Sequence, residues 1–184
     1  YPGTCAGLTA QEVRVRLEQG RAPALRLRAG QRVLSASDTV LGEISGRSDD
    51  FVLQRADGVA AYYLAVVVDD AEQGVDQVVR GDDLAETTPR HLLLLEMLGF
   101  AKPQYAHVPM VVGPDGERMS KRHGSVTLAD LATAGVGPAQ VRGLLAESLG
   151  LSEPGETPST ATILDRFGSA PLPRSEWTFV PPRS

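Results

Sequence analysis

One loop of this chain carries residue types that could do phosphate chemistry. Only two lysines, Lys102 and Lys121, occur in the sequence, and Lys121 lies in this loop. Phosphoryl and nucleotidyl transfer depend mainly on cations and donors placed where negative charge grows on phosphate oxygens. Lys121 is therefore a candidate catalytic residue, and an exposed basic loop that only aids solubility is the alternative. The loop reads Met119, Ser120, Lys121, Arg122, His123, Gly124, after a turn formed by Gly113, Pro114, Asp115 and Gly116.

A second candidate, Arg80, ends a predicted strand over residues 75–80 and is followed by Gly81. Ligands of parallel sheets bind at the carboxyl ends of the strands. A guanidinium there can bind a carboxylate through two parallel hydrogen bonds, which suits a small acidic amino acid. The alternative is a structural ion pair between Arg80 and Asp82 or Asp83.

Helices and strands alternate along the chain and must position these residues. Thr9 and Glu12 form a capping box at the first helix, and Gly74 ends the second. The alternation after residue 50 predicts a parallel sheet with helical crossovers. Predicted helices cover residues 10–18, 61–72, 87–98, 128–132 and 138–149, and predicted strands cover 24–28, 39–43, 51–55, 75–80 and 106–112.

Four sequence segments precede the loop in a fixed order, at residues 50–58, 61–70, 78–84 and 87–90. On these segments and the loop, roughly residues 1 to 150 of the chain resemble the catalytic region of glutamate-activating class I aminoacyl-tRNA synthetases. Within them the chain is most similar to the glutamyl-Q tRNA(Asp) synthetases. Full glutamyl-tRNA synthetases continue with a large helical anticodon-binding region after the loop, whereas this sequence ends at Ser184.

The resemblance implies an α/β fold that is the second half of a class I synthetase Rossmann-type parallel sheet. A small inserted α+β module that resembles an acceptor-binding region would occupy residues 1–48, the nucleotide-binding part residues 49–126, and a helical part with a Pro/Ser-rich tail residues 127–184. The His-Ile-Gly-His-like motif of class I synthetases is missing, and the chain begins at Tyr1 rather than Met. We therefore expect an N-terminally truncated piece that is inactive by itself.

The resemblance also assigns roles to residues. Arg80 and Tyr62 would bind glutamate, although the adjacent Tyr63 leaves open which tyrosine faces the pocket. Lys121, Met119 and His107 would lie at the ATP site, and Ser120 would help to shape the catalytic loop. The implied reaction activates glutamate with ATP and Mg²⁺ and transfers it to the queuosine of tRNA(Asp). A fragment of a glutamyl-tRNA synthetase that charges the tRNA 3′ end and a non-catalytic tRNA-binding paralogue are the alternatives.

The first five residues resemble half of a zinc motif found in many glutamyl-Q enzymes. Tyr1 and Cys5 match its second half, and zinc would need about four ligands. We therefore expect zinc only in the intact protein.

Composition and charge set limits on the function. The net charge is −5, yet several arginines fall within one short stretch, so phosphate contact there competes with a merely solvated surface. The single Cys5 excludes an internal disulfide and suits a cytoplasmic enzyme, and no apolar run approaches the roughly 20 residues of a membrane span. We expect a monomer. The clustered arginines are Arg14, Arg16, Arg21, Arg26, Arg28 and Arg32.

Overall fold

A computed structural model describes residues 2–119, 126–168 and 171–180. The predictions for Tyr1, Ser120 and Lys121 therefore lie outside the described residues. Within these ranges the helices are α1 (Ala10–Glu18), α2 (Tyr62–Gln73), α3 (Thr88–Leu98), α4 (Leu128–Thr133), α5 (Pro138–Ser148) and α6 (Thr160–Phe167), and a 3-10 helix spans Asp82–Thr87. The strands are β1 (Leu25–Leu27), β2 (Val33–Asp38), β3 (Gly42–Arg47), β4 (Phe51–Gln54), β5 (Gln77–Gly81), β6 (Gln104–Val108), β7 (Val111–Val112) and β8 (Trp177–Thr178).

The largest sheet has the strand order β3-β2-β6-β5. Strand β2 is antiparallel to β3 and parallel to β6, where Asp38 pairs with Tyr105. The helix α3 connects β5 to β6 along the chain, as the βαβ pattern predicted. The predicted α/β class with parallel pairing is confirmed, and the sheet is mixed because β2 and β3 form a hairpin.

Two smaller sheets complete the strand pairing of the described residues. Strands β1 and β4 pair antiparallel, and β7 and β8 pair parallel. The chain divides into two compact units. The first comprises Tyr1–Arg80 with Leu84–Ala106, and the second comprises Gly81–Asp83 with His107–Ser184.

The predicted strand over residues 39–43 is wrong, because most of this stretch is the turn between β2 and β3. The Asp38 carboxylate accepts hydrogen bonds from the backbone N–H groups of Val40 and Leu41, at 2.9 and 2.8 Å. Gly42 then adopts φ 88°, a conformation that favours glycine. An aspartate that bonds its own backbone two residues later starts a turn rather than continuing a strand.

The prediction of one continuous strand over residues 106–112 is also wrong, because the structure has two strands there. Strand β6 ends at Val108, and β7 begins at Val111 in a different sheet. Pro109 lies between them and has no backbone N–H for a sheet hydrogen bond. The chain therefore changes partners at this proline.

Local signals placed the helices well. Helix α1 has the predicted capping box at Thr9, and α2 ends at Gly74 with φ 69°. Helix α3 carries the centre of the first unit's core, since Leu92, Leu93, Leu94 and Leu95 are at most 4% exposed. These leucines belong to one cluster with Val67 of α2, Phe51 of β4 and Tyr105 of β6.

The second unit has a separate small core. Leu131, Val136 and Phe179 are buried there, and Met119 and Trp177 pack against them. Helix α6 and strand β8 lie in the region that the sequence predicted as a Pro/Ser-rich tail. Among the described residues, the helices are too short or too polar to cross a bilayer.

Candidate functional site

Arg80 lies near the carboxyl end of β5, directly before Gly81. Its Nη2 donates to Thr88 Oγ1 at 2.8 Å and to the Leu84 carbonyl oxygen at 3.4 Å. Its Nη1 lies 3.5 Å from His91 Nε2. The guanidinium carbon lies 5.6 Å from the centroid of the Tyr105 ring, within cation–π range. The guanidinium is therefore held in position by groups from three places: β6, α3 and the segment before α3.

A cavity of about 330 Å³ adjoins this guanidinium. Tyr62 and Arg80 both line it, so the structure brings the two predicted glutamate-binding residues together. The volume lies in the range of small-molecule sites. Its other polar lining residues include Asp70, Gln77, His91 and Tyr105.

Tyr62 rather than Tyr63 lines this cavity. The Tyr62 side chain is exposed, whereas the Tyr63 hydroxyl accepts a hydrogen bond from Arg90 Nη1 at 2.7 Å. Arg90 also forms an ion pair with Asp49 at 2.7 Å and lies 5.2 Å from the Tyr63 ring centroid. Tyr63 is thus a structural partner of Arg90, and of the two adjacent tyrosines Tyr62 is the one at the candidate site.

Electrostatics keep the groups around these tyrosines charged. Partial burial would raise the pKa of Asp49, but the pKa is lowered, and the hydrogen bond from Arg90 is the largest of the contributions that lower it. Burial also opposes the charge of Arg90, yet hydrogen bonds to Asp49 and Tyr63 raise its pKa. Burial raises the pKa of Tyr105 despite the nearby positive charge of Arg80. Tyr105 is therefore neutral beneath the Arg80 guanidinium.

His91 belongs to the same site and was not predicted from the sequence. It is 3% exposed and contacts the rings of Tyr62 and Tyr63 edge to face, with centroids 6.4 and 5.3 Å away. Its Nδ1 lies 3.2 Å from the Thr87 carbonyl oxygen. This contact follows from the spacing of four residues between Thr87 and His91, but nothing local in the sequence indicates the contact of His91 with Arg80.

An ion pair with Asp83 was the alternative role considered for Arg80, but Asp83 pairs with Arg118 in the structure. Asp83 Oδ2 lies 2.6 Å from Arg118 Nη1, within the second unit. Arg118 directly precedes Met119 at the start of the predicted catalytic loop. This ion pair therefore connects the chain just after Arg80 to the residues that lead into the loop.

The residues predicted at the ATP site are only partly described. His107 is fully buried in β6, and Met119 packs against the small core of the second unit. The turn between them closes through a hydrogen bond from Gly113 N to the Glu117 carbonyl oxygen at 2.8 Å. Lys121 and Ser120 lie outside the described residues, so the catalytic roles remain predictions.

Several of the clustered arginines line one groove in the first unit. This groove has a volume of about 460 Å³ and is bounded by α1, β1 and Asp50. Arg32 instead forms an ion pair with Glu96 of α3 at 2.9 Å. The groove combines positive charge with apolar residues of α1 such as Val13 and Leu17. Its arginines are Arg16, Arg21, Arg26 and Arg28.

A zinc site is not supported by the residues that the structure describes. They contain no group of three or more histidine, cysteine or acidic side chains placed to hold a metal ion. Cys5 is exposed, and its Sγ lies 3.8 Å from Arg16 Nη1. One cysteine beside an arginine is far from the four ligands that a structural zinc requires.

Comparison with known proteins identifies the family. Residues 1–153 match the family model described as tRNA synthetases class I (E and Q), catalytic domain. The chain is 52% identical over 177 residues to the glutamyl-Q tRNA(Asp) synthetase of Nocardia farcinica, which covers 96% of this chain and 56% of that protein. The corresponding enzyme of Symbiobacterium thermophilum is 44% identical, covering 95% of this chain and 55% of that protein. Glutamate–tRNA ligase 1 of Halorhodospira halophila is 43% identical, and the match covers 92% of this chain and 35% of that protein.

A solved structure has the same fold. The chain matches a glutamate tRNA ligase from Elizabethkingia meningosepticum, solved in complex with its amino acid, with a TM-score of 0.75 and 22% identity. The match covers 96% of this chain and 40% of that chain. The chain also spans only about half the length of the glutamyl-Q relatives it matches. It belongs to the catalytic-domain family of the class I tRNA synthetases of the E and Q type.

Proposed function

We propose that the protein carrying this chain activates glutamate with ATP and transfers it to the queuosine of tRNA(Asp). The observation that carries the proposal is that Tyr62 and Arg80, the latter near the carboxyl end of β5, line one cavity. The names of the two glutamyl-Q relatives support the choice of queuosine as acceptor. The queuosine acceptor and tRNA(Asp) rest on this similarity.

The proposed chemistry has two steps. An oxygen of the glutamate α-carboxylate attacks the α-phosphorus of ATP, the bond to pyrophosphate breaks, and glutamyl adenylate forms. A hydroxyl of queuosine then attacks the glutamyl carbonyl carbon, and AMP leaves. Mg²⁺ bound with ATP would neutralise charge on the phosphate oxygens.

Arg80 and Tyr62 would orient glutamate. Because the α-carboxylate must be free to attack, we assign Arg80 to the side-chain carboxylate, which a guanidinium can bind through paired hydrogen bonds. The Tyr62 hydroxyl would bind the same amino acid, since Tyr62 lines the same cavity. These contacts act on substrate binding rather than on the phosphate transfer.

Lys121 would stabilise charge on the leaving pyrophosphate, as a positioned cation does in nucleotidyl transfer. Ser120 would shape the loop, and Met119 and His107 would support the ATP site. Since His107 is buried and Met119 is half-buried against the small core, their support would come through the position of the loop.

The arginine groove would contact the phosphate backbone of the tRNA. Its four arginines gather positive charge on a chain whose net charge is −5. Phosphate contacts of this kind position an RNA without reading its sequence. A cytoplasmic monomer is proposed as the working form, and zinc is a hypothesis for the intact protein only.

A second candidate function is that of a glutamate–tRNA ligase, which charges the 3′ end of tRNA. The similarity to the Halorhodospira halophila ligase favours it, because its identity is close to that of the Symbiobacterium thermophilum enzyme. The two functions share glutamate activation and differ in the acceptor and in the need for tRNA during activation.

Exchange of labelled pyrophosphate into ATP tests the proposal. The protein carrying this chain is assayed with glutamate, first without tRNA and then with tRNA. Exchange without tRNA that Lys121→Ala abolishes supports the glutamyl-Q function. Exchange that requires tRNA supports the ligase instead, and no exchange under either condition indicates a non-catalytic tRNA-binding paralogue.

A further inference from the structure

Two of the contacts of His91 indicate where its proton lies. Its Nδ1 is 3.2 Å from the carbonyl oxygen of Thr87, which can only accept a hydrogen bond. Its Nε2 is 3.5 Å from Nη1 of Arg80, and a guanidinium can only donate. One neutral tautomer, with the proton on Nδ1, satisfies both contacts. An imidazolium would instead place a donor against a donor at Nε2.

The ring of His91 is held in place by its surroundings. The imidazole is 3% exposed and lies against the rings of Tyr62 and Tyr63 in edge-to-face geometry, with interplanar angles of 88° and 77°. Tyr63 is itself held by the hydrogen bond from Arg90. His91 therefore presents Nε2 to Arg80 in a fixed direction.

Each of the two amino groups of the Arg80 guanidinium has a hydrogen-bond acceptor in the first turns of α3. Thr88 Oγ1, which belongs to a residue with no exposed surface, accepts from Nη2 at 2.8 Å. His91 Nε2 faces Nη1, and His91 lies three residues after Thr88 on α3. A guanidinium held at both amino groups loses less freedom when it binds a carboxylate, and this improves affinity.

We propose that His91 is a positioning residue, which accepts a hydrogen bond from Arg80 at Nε2 and thereby sets the affinity of the site for glutamate. This inference rests on the proposed function, since it assigns a role within the glutamate site. His91 touches neither the phosphates nor the reacting carboxylate in this assignment. Its loss should therefore change the KM for glutamate and leave kcat and the KM for ATP unchanged.

Two amide substitutions distinguish the effect of losing the hydrogen-bond acceptor at Nε2 from the effect of losing the imidazole ring. In His91→Gln the amide reaches the position of Nε2 and can still accept from Arg80, whereas in His91→Asn it reaches only the position of Nδ1. In glutamate-dependent pyrophosphate exchange we expect His91→Asn to raise the KM for glutamate about tenfold, the effect of losing one hydrogen bond to a charged group. His91→Gln should stay within about threefold of the wild type. Equal increases in both variants, or an increase in the KM for ATP, would overturn the proposal.

The tautomer of His91 provides a readout that does not depend on activity. Long-range ¹H–¹⁵N spectra of the ¹⁵N-histidine-labelled protein, assigned by the signal that disappears in His91→Gln, should show the proton on Nδ1 at neutral pH. A proton on Nε2 would contradict the hydrogen bond to Arg80. If the wild type shows no glutamate-dependent exchange, the proposed function fails, and the tautomer still decides whether His91 accepts from Arg80.

Discussion

Arg80 binds its neighbours through the shape of its guanidinium as well as through its charge. Replacing it by lysine keeps the charge, but an ammonium is a point donor that cannot serve Thr88, His91 and a substrate carboxylate in fixed directions. We expect Arg80→Lys to raise the KM for glutamate by roughly tenfold to a hundredfold, the effect of losing charge-assisted hydrogen bonds. Titration of glutamate in the pyrophosphate exchange assay measures this change.

Arg55→Lys is a matched control for that substitution. Arg55 pairs with Asp57 at 2.8 Å, and both side chains are largely exposed. Exposed ion pairs of this kind contribute little to the stability of the fold. An unchanged KM for glutamate in Arg80→Lys would show that Arg80 has only a structural role in α3 packing.

The candidate site could be predicted from the sequence only where a residue has a recognisable position. Arg80 was found because it ends a strand, and Tyr62 because of the family resemblance. His91 and Thr88 were missed, since their roles depend on how the start of α3 packs against Arg80. That packing is a tertiary contact which no local pattern in the sequence encodes.

At the scale of elements, Gly143 of α5 is required by close packing. A Cβ added there would overlap the backbone carbonyl oxygen of Glu156, which cannot move aside as a flexible side chain could. We expect Gly143→Ala to lower the free energy of unfolding by roughly 1–3 kcal/mol, as overpacking does in protein cores. Urea denaturation of the two proteins measures the difference.

Gly168, at the end of α6, is the control for Gly143. Its φ is −68°, and the nearest atom to an added Cβ is 3.9 Å away. Gly168→Ala should therefore leave stability unchanged or raise it by up to about 1 kcal/mol, because alanine restricts the unfolded chain. Equal losses at both positions would contradict the packing explanation.

Elements with strong local signals could be predicted, and elements that depend on distant partners could not. The capping box of α1 and the terminal Gly74 of α2 are local, and both helices were placed correctly. Strand β8 has only two residues and exists because Trp177 pairs with Val111 far along the chain. Its sequence alone contains no periodicity to detect.

Helix α6 shows a different reason for a missed element. Ser159 caps it by accepting a hydrogen bond from Thr162 N, which is a local signal. From the sequence, this region was described only by its composition, as a Pro/Ser-rich tail, because of the prolines around the helix: Pro154, Pro158, Pro171 and Pro173. Proline outside a helix does not oppose the helix itself, so the composition of the region was a poor guide.

An ion pair joins the connection between α5 and α6 to α6 itself, and its contribution to stability depends on pH. Glu156 and Arg166 form two parallel hydrogen bonds of 2.8 Å. These hydrogen bonds, with one from Glu153 N, lower the pKa of Glu156 below its ordinary value of 4.5. A carboxyl with a lowered pKa in the folded state stabilises the fold above the ordinary pKa, and this stabilisation is lost as pH falls through the folded pKa.

We therefore expect Glu156→Gln to lower the melting temperature at pH 7 and to differ less from the wild type as pH falls below about 4.5. Thermal unfolding at several pH values between roughly 3 and 7 checks this. Glu147→Gln, which removes a carboxylate from α5, serves as the control. A difference that stays constant over the whole pH range would mean that the ion pair does not supply the stabilisation.

For the whole molecule, local charge matters more than net charge. The net charge of −5 would repel a nucleic acid at long range. At physiological ionic strength, however, the Debye length is about 8 Å, so distant acidic groups are screened from a phosphate in the groove. Arg16, Arg21, Arg26 and Arg28 line the same groove, so they would face such a phosphate together. The acidic composition is thus compatible with an RNA contact confined to one face.

The salt dependence of tRNA binding tests this contact. Each phosphate contact that is lost should reduce the slope of log K against log salt concentration by about 0.7 to 0.9. In the protein carrying this chain, we expect the double variant Arg21→Ala with Arg26→Ala to bind tRNA more weakly at low salt and to show a slope smaller by roughly 1.5. Fluorescence anisotropy with labelled tRNA over a salt series measures both effects. Arg32→Ala is the matched control, because Arg32 pairs with Glu96 and does not line the groove. An equal loss of slope in the control would assign the effect to overall charge and would leave the groove without a specific role.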